Sequence, residues 1–203
     1  MVEMKFIAGS LSLDFVNTVG GRTSPHGTVL RDKLKDYPDL LKWSRLAGLS
    51  TAREERNLKR AAEHFPARRT VAFARAIRLR ETLFRIFKSL LVHSAPKESD
   101  VDVLRDEISV AKSYQRLVRK GGGFVWAWER SENALDSPLW RVSISAADLL
   151  TSADLQKLRE CSGDECGWLF LDTSRNRTRR WCDMKDCGNR AKVRRFRRRE
   201  QQR

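Results

Sequence analysis

The sequence predicts a mainly α fold with a small antiparallel β-sheet. It reads as an α+β chain in which a helical N-terminal domain precedes a small four-cysteine module and a basic C-terminal helix. Three observations predict it. Apolar residues recur every three or four positions through most of the first 120 residues, two short stretches alternate instead, and all four cysteines fall within the last quarter of the 203-residue chain. With 40% apolar and 33% charged residues and five prolines, the composition excludes a disordered or fibrous chain.

The elements follow in order. Met4 to Phe15 reads as an extended opening, followed by a loop carrying Gly20, Gly21, Pro25 and Gly27. Asp39, Leu40, Leu41, Trp43, Leu46 and Ala47 have helical spacing and stop at Gly48, and Thr51 with Glu54 opens the next helix with a capping box. Ala67 to His93 is the longest periodic segment and predicts the central helix, with Phe73, Ala76, Ile77, Leu83, Phe84 and Phe87 on one face. After Pro96, a helix capped by Ser99 carries Leu104, Ile108 and Ala111 and runs on through Val118 to stop at Gly121-Gly122-Gly123. Phe124 to Trp128 and Trp140 to Ile144 alternate and predict an antiparallel pair of strands, after which Ser145 with Asp148 caps a further helix. The domain boundary falls near residue 155, giving domains 1–155 and 156–203.

No run reaches the roughly 18–20 apolar residues of a membrane span, and the N-terminus lacks the basic start and apolar core of a secretory signal. The expected location is cytoplasmic, where cysteines stay reduced. Cys161, Cys166, Cys182 and Cys187 form a C-x4-C-x15-C-x4-C arrangement. Two cysteine pairs on short knuckles can close the tetrahedron that zinc prefers, although four-residue gaps are at the wide end of the usual range. Free or disulfide-bonded cysteines are the alternative. Four thiolates would saturate one Zn2+ and leave no position for water or substrate, so the ion is expected to be structural. Trp168, Leu169, Phe170, Leu171 and Trp181 supply the apolar groups of a miniature core.

The segment Cys161-Ser-Gly-Asp-Glu-Cys166-Gly-Trp-Leu-Phe-Leu-Asp172, then Arg180-Trp181-Cys182 and Cys187-Gly188-Asn189-Arg190-Ala191, resembles the CGNR zinc finger. Gly9-Ser-Leu11-Ser-Leu13-Asp14-Phe15-Val16-Asn17-Thr18 resembles the opening of the ABATE domain that accompanies that finger. The resemblance implies a bacterial stress-responsive transcription regulator, with no established ligand.

The charge is concentrated beside the cysteines. Residues 175–203 hold 13 basic against 3 acidic side chains, a net +10 out of the chain's +15, which is the footprint of a polyanion binder. From Gly188 to Arg199 nothing breaks a helix, and Val193 with Phe196 form a narrow strip that could pack back on the finger. Arg190, Lys192, Arg194, Arg195, Arg197 and Arg198 are candidate phosphate contacts, joined by Arg175, Arg177, Arg179 and Arg180 of the inter-knuckle loop. Asn189 and Arg190 can read adenine and guanine edges, but Asn189 can equally cap the terminal helix. A solvated basic tail is the bland alternative.

Helical geometry places Arg80 in the middle of an apolar face, where its guanidinium needs a partner. Asp14 is the expected partner, with Asn17 nearby. The set is either a structural ion pair or, with Asp14, Asn17 and Arg80 around a cavity, a site for a small anionic or amide-bearing effector. Trp126, Trp128 and Trp140 read first as sheet core. His26, His64 and His93 lack spacing for a second metal, and no phosphate loop, GxSxG or HExxH motif supports an enzyme. The expected function is therefore zinc-dependent DNA binding in transcription regulation, with RNA or ribosome association as the rival. A homodimer would suit paired half-sites, although no heptad seam marks an interface.

Overall fold

The computed structural model describes residues 4–23, 31–129 and 134–201. Pro25, His26 and Gly27 lie outside the described residues. The chain divides into two compact units, Leu34–Asp148 and the pair of segments Met1–Lys33 with Leu149–Arg203.

The first of these is helical. Helices α2 (Tyr37–Leu46), α3 (Ala52–His64), α4 (Pro66–Leu91) and α5 (Glu98–Ser113) have the predicted order, and α4 packs on the other three. Asp36 caps α2 by accepting Asp39 N–H, and Thr51 with Glu54 forms the predicted reciprocal box at the start of α3. The buried stripe of α4 is Ala72, Ala76, Leu79, Leu83, Ile86 and Phe87. Arg75, on a neighbouring row, forks onto Glu107 at 3.0 and 2.8 Å and reaches Asp136 at 2.9 Å. Arg85 clamps Asp100 in the same fashion. These bidentate pairs fix how α4 sits against α5.

The predicted strand pairing is corrected. The α5 helix ends at Ser113, and β3 (Gln115–Lys120) pairs antiparallel with β4 (Gly123–Trp128), Lys120 facing Gly123. The intervening Gly121 and Gly122 have φ of 56° and 82°, the left-handed pair that a two-residue hairpin turn requires, so the glycines turn a ribbon and do not stop a helix. The segment read as the second strand is instead in α6 (Ser137–Thr151). Leu139, Val142, Ala146 and Leu149 are buried at spacings of three and four, a period that outlasts the five-residue alternation from Trp140 to Ile144. Ser145 accordingly lies inside a helix and opens none.

The second unit is built from both ends of the chain. The expected extended opening contains α1 (Leu11–Val16), entered from Gly9 at φ 84° and an extended Ser10. Strands β1 (Val19–Gly20) and β2 (Arg31–Asp32) follow, and β5 (Leu158–Glu160) pairs antiparallel with β6 (Leu169–Leu171). Between β6 and the terminal helix α7 (Asn189–Glu200) lie a loop and a π-helical turn, Met184–Gly188. The α1 helix packs on β6, burying Leu13, Phe15, Val16, Leu169, Phe170 and Leu171.

Candidate metal centre and basic helix

Two knuckles carry the cysteines. The first, Cys161 to Cys166, leaves β5 and turns back through Glu165 and Gly167, both at positive φ. Gly163 has to be small, because a Cβ there would come within 3.2 Å of Cys187 Sγ and 3.4 Å of Cys161 Sγ. The second knuckle, Cys182 to Cys187, is closed by the π-helical turn, with Asp183 accepting Lys185 N–H at 2.9 Å. All four cysteines are buried and unbridged, and their sulfurs lie within 4.8 Å of one another.

The donor set fits zinc. Cys182 Sγ is 3.7 Å from both Cys166 Sγ and Cys187 Sγ, and a tetrahedron with Zn–S near 2.3 Å has an edge of about 3.8 Å. Hydrogen bonds from the Cys161, Cys166 and Cys182 sulfurs, aided by the Arg190 guanidinium, hold Cys187 well below the ordinary thiol range. Cys166 and Cys182 are pushed up, first of all by Cys161. Four sulfurs this close cannot all ionise without a cation between them, and a divalent ion supplies that charge. Backbone N–H groups of Gly163 and Cys182 point at Cys161 Sγ from 3.4 and 3.3 Å, and Arg190 Nη2 points at Cys187 Sγ from 3.1 Å. These donors disperse thiolate charge around the metal. One structural Zn2+ is held by Cys161, Cys166, Cys182 and Cys187.

The loop between the knuckles is organised by buried Asp172. One carboxylate oxygen accepts Ser174 N–H and Oγ–H at 2.9 and 2.6 Å, and the other accepts Arg179 N–H at 2.9 Å. Burial opposes its charge, but those donors together with Arg159 hold the carboxyl below the usual carboxylate range. Arg179 is itself spent here. Its guanidinium donates to the carbonyls of Trp181 and Cys182 and lies 4.5 Å from the Phe170 ring centroid. Arg175, Arg177 and Arg180 are exposed, Arg177 at positive φ.

The N-terminal segment completes the unit, a role the sequence reading did not foresee. Asn17 pairs with the β6 backbone as a strand would, donating Nδ2–H to Leu169 O at 2.8 Å and accepting Leu169 N–H at 2.9 Å. Leu171 N–H donates to Ala8 O, Trp168 Nε1–H to Val19 O, and Gly21 N–H to Cys166 O. Lys5 reaches Asp183 of the second knuckle at 2.8 Å. Asp14 accepts Ala8 N–H at 3.0 Å. In the helical unit Arg80 is 3% exposed, and its Nε–H donates to Glu81 at 2.9 Å. The signal available in advance for Asn17 was an amide directly after the apolar pair Phe15-Val16.

In the tetrapeptide Cys187-Gly188-Asn189-Arg190 each residue has structural work. A Cβ on Gly188 would come within 2.5 Å of Met184 Sδ. Asn189 donates Nδ2–H back to Lys185 O at 3.1 Å and makes no side-chain cap to its own helix. Arg190 joins Cys187 to Asp186, 3.2 Å away. Beyond it α7 buries nothing. Val193 and Phe196 are 49% and 62% exposed, so the strip expected to fold back on the finger faces solvent. Arg194 pairs with Asp164 of the first knuckle at 3.0 Å, while Lys192, Arg195, Arg197 and Arg198 are exposed.

A four-thiolate knot bearing a basic helix, carried with a helical unit, defines a zinc-finger protein. Residues 157–200 match the model of the CGNR zinc finger. Residues 9–153 match the ABATE model, described as "Putative stress-induced transcription regulator", and the chain belongs to that family. No curated protein matches it. No helix among the described residues is long and apolar enough to cross a membrane.

Proposed function

We propose that this chain is a zinc-dependent DNA-binding transcription regulator acting in the bacterial cytoplasm under stress, with α7 and the inter-knuckle loop gripping the duplex. The observation that carries this reading is α7 itself: no residue on it is buried, and its first turn is tied to the metal knot through Arg190 and Asn189. A helix so charged repels itself in water and is relieved by phosphates. Lys192, Arg195, Arg197 and Arg198 on the helix, with Arg175, Arg177 and Arg180 on the loop, are the proposed phosphate contacts. Arg190 and Asn189 position the helix, and Arg179 holds the loop.

The reading is tested by fluorescence anisotropy with duplex DNA. Six to eight phosphate contacts should make affinity fall by roughly 10³–10⁴ between 50 and 200 mM salt. Replacing Arg195, Arg197 and Arg198 with Gln should flatten that slope while zinc content stays at one ion per chain. Preference for structured RNA over duplex DNA at fixed salt would move the assignment to an RNA-binding protein.

A further inference from the structure

Exposed apolar surface in the helical unit concentrates on the β3–β4 ribbon. Leu117, Phe124 and Trp126 are 57%, 68% and 65% exposed on one of its faces, and Val118 and Val125 are exposed on the other. The register fixes these faces: Leu117 lies opposite Trp126, Arg119 opposite Phe124, and Val118 opposite Val125. No third strand joins this sheet among the described residues. A two-stranded ribbon bare on both faces is marginal in water, and further strands are one way to stabilise it.

The two edges of the ribbon differ. Strand β3 carries Arg116, Arg119 and Lys120, charges of the kind by which exposed edges resist pairing, whereas β4 reads Gly-Phe-Val-Trp-Ala-Trp, with neither charge nor proline. In an antiparallel ribbon closed by a two-residue turn, the pair flanking the turn is hydrogen-bonded and the pairs alternate from there. Phe124 and Trp126 therefore point their backbone N–H and C=O groups away from β3, where they meet no protein partner among the described residues. Charge is also graded along the ribbon. Arg119 and Lys120 stand beside the turn, while Arg116 at the base is neutralised by Glu129.

We propose that β4 pairs with β4 of a second copy of this chain, giving a homodimer joined by a four-stranded sheet of order β3-β4-β4-β3. A two-fold axis sets the two β4 strands antiparallel, and the charged β3 strands become the outer edges. The axis passes at Val125, the centre of Gly123–Ala127. Trp128 stays outside the pairing because it stacks on Trp140 of its own chain, with ring centroids 5.8 Å apart. Phe124 of each copy then lies opposite Trp126 of the other, two aromatic cross-strand pairs flanked by Leu117. This arrangement brings each cationic turn beside Glu129 of the other copy and keeps the two turns apart. A nucleic-acid strand would need cations along the open edge, and β4 offers none. The inference goes beyond DNA binding and does not depend on it.

The test is sedimentation of the full-length, zinc-loaded chain, freed of nucleic acid, at micromolar concentration. Twice the monomer mass is expected. The double variant Phe124→Lys/Trp126→Lys, at two exposed positions, should keep its zinc and the amide protection of α4 while the dimer dissociation constant rises at least tenfold. Val125 faces its own copy across a non-hydrogen-bonded pair, with Cα atoms about 4.5 Å apart and within disulfide reach. Oxidised glutathione should therefore link two copies of Val125→Cys covalently and leave Val118→Cys unlinked, since the two outer strands lie about 14 Å apart. Zinc holds the four native cysteines in both variants. A monomer throughout, a dimer indifferent to the double substitution, no cross-link at position 125, or an equal cross-link at 118 would each overturn the proposal. So would a monomer whose tryptophan emission is quenched by oligothymidine, which would make the ribbon a stacking platform for single-stranded nucleic acid.

Discussion

In the helical unit a single helix, α4, supplies six buried apolar side chains, and ion pairs such as Arg75–Glu107 align elements whose burial already favours them. No described helix of the cysteine unit does the same. Its order comes from four thiolates, the few apolar groups of α1 and β6, and polar side chains that substitute for backbone: Asn17 as a strand partner of Leu169, and Asp172 as the hub of a loop. Where chain is scarce, a metal and side-chain-to-backbone bonds replace area burial. The contrast is sharpest in what each unit would lose with one interaction.

The largest expected effect is removal of zinc. A structural Zn2+ contributes about 10–16 kcal/mol in small fingers, more than a marginal unit can lose. Chelation of the reduced chain should therefore abolish amide protection in both segments of the cysteine unit, at Leu169 and Leu171 and also at Gly21, while α4 and α5 stay protected. Hydrogen exchange with verified metal loss checks this. Loss confined to residues 158–190 would show that the N-terminal segment orders itself, and the contrast as drawn would fail.

Asn17→Ala ranks next. It leaves the Leu169 N–H and C=O unpaired in a buried place, at a cost of about 3 kcal/mol. With zinc saturating, the melting of the cysteine unit should fall and that of the helical unit should not. The reciprocal break is Arg75→Met, which strips the bidentate partner from Glu107. Because Arg75 is one-third exposed, about 2 kcal/mol is expected, read in the helical unit, with the cobalt–thiolate spectrum of the substituted protein unchanged. A shift of both units by either variant would erase the distinction.

This difference in construction also governs what the sequence could disclose. Long helices announce themselves because burial repeats every three or four residues, so α2, α3 and α4 were legible, α3 with its capping box. The region from Ser113 to Ile144 was harder. Over five residues Trp140, Val142 and Ile144 satisfy a strand as well as a helix, and only Ala146 and Leu149 break the tie. Gly121 and Gly122 are punctuation either way; their meaning depends on whether Leu117 and Val118 before them form helix or strand. The metal ligands were fully legible, since thiolate chemistry leaves few other uses for four clustered cysteines. The role of Asn17 was not, because its partner lies 152 residues away and is backbone.

The smallest expected effect lies in Asp14, a partly buried carboxylate in the cysteine unit. Burial pushes its carboxyl up to about 6, although the N–H groups of Ala8 and Ile7 pull it down. Since the folded value exceeds the ordinary 3.8, the native state binds this proton more tightly than the unfolded chain does. The resulting contribution to stability is fully present below about pH 4 and is lost as pH rises through 6, opposite in sign to the usual carboxylate in acid denaturation. Zinc release at low pH works against the fold in parent and variant alike, so the informative quantity is their difference. Asp14→Asn, neutral throughout, should gain on the parent between pH 4 and 6 and keep that lead above pH 7. A carboxyl 13C titration of the parent gives the same quantity directly, and a midpoint near 4 would mean that the hydrogen bonds from Ala8 and Ile7 offset burial at this position.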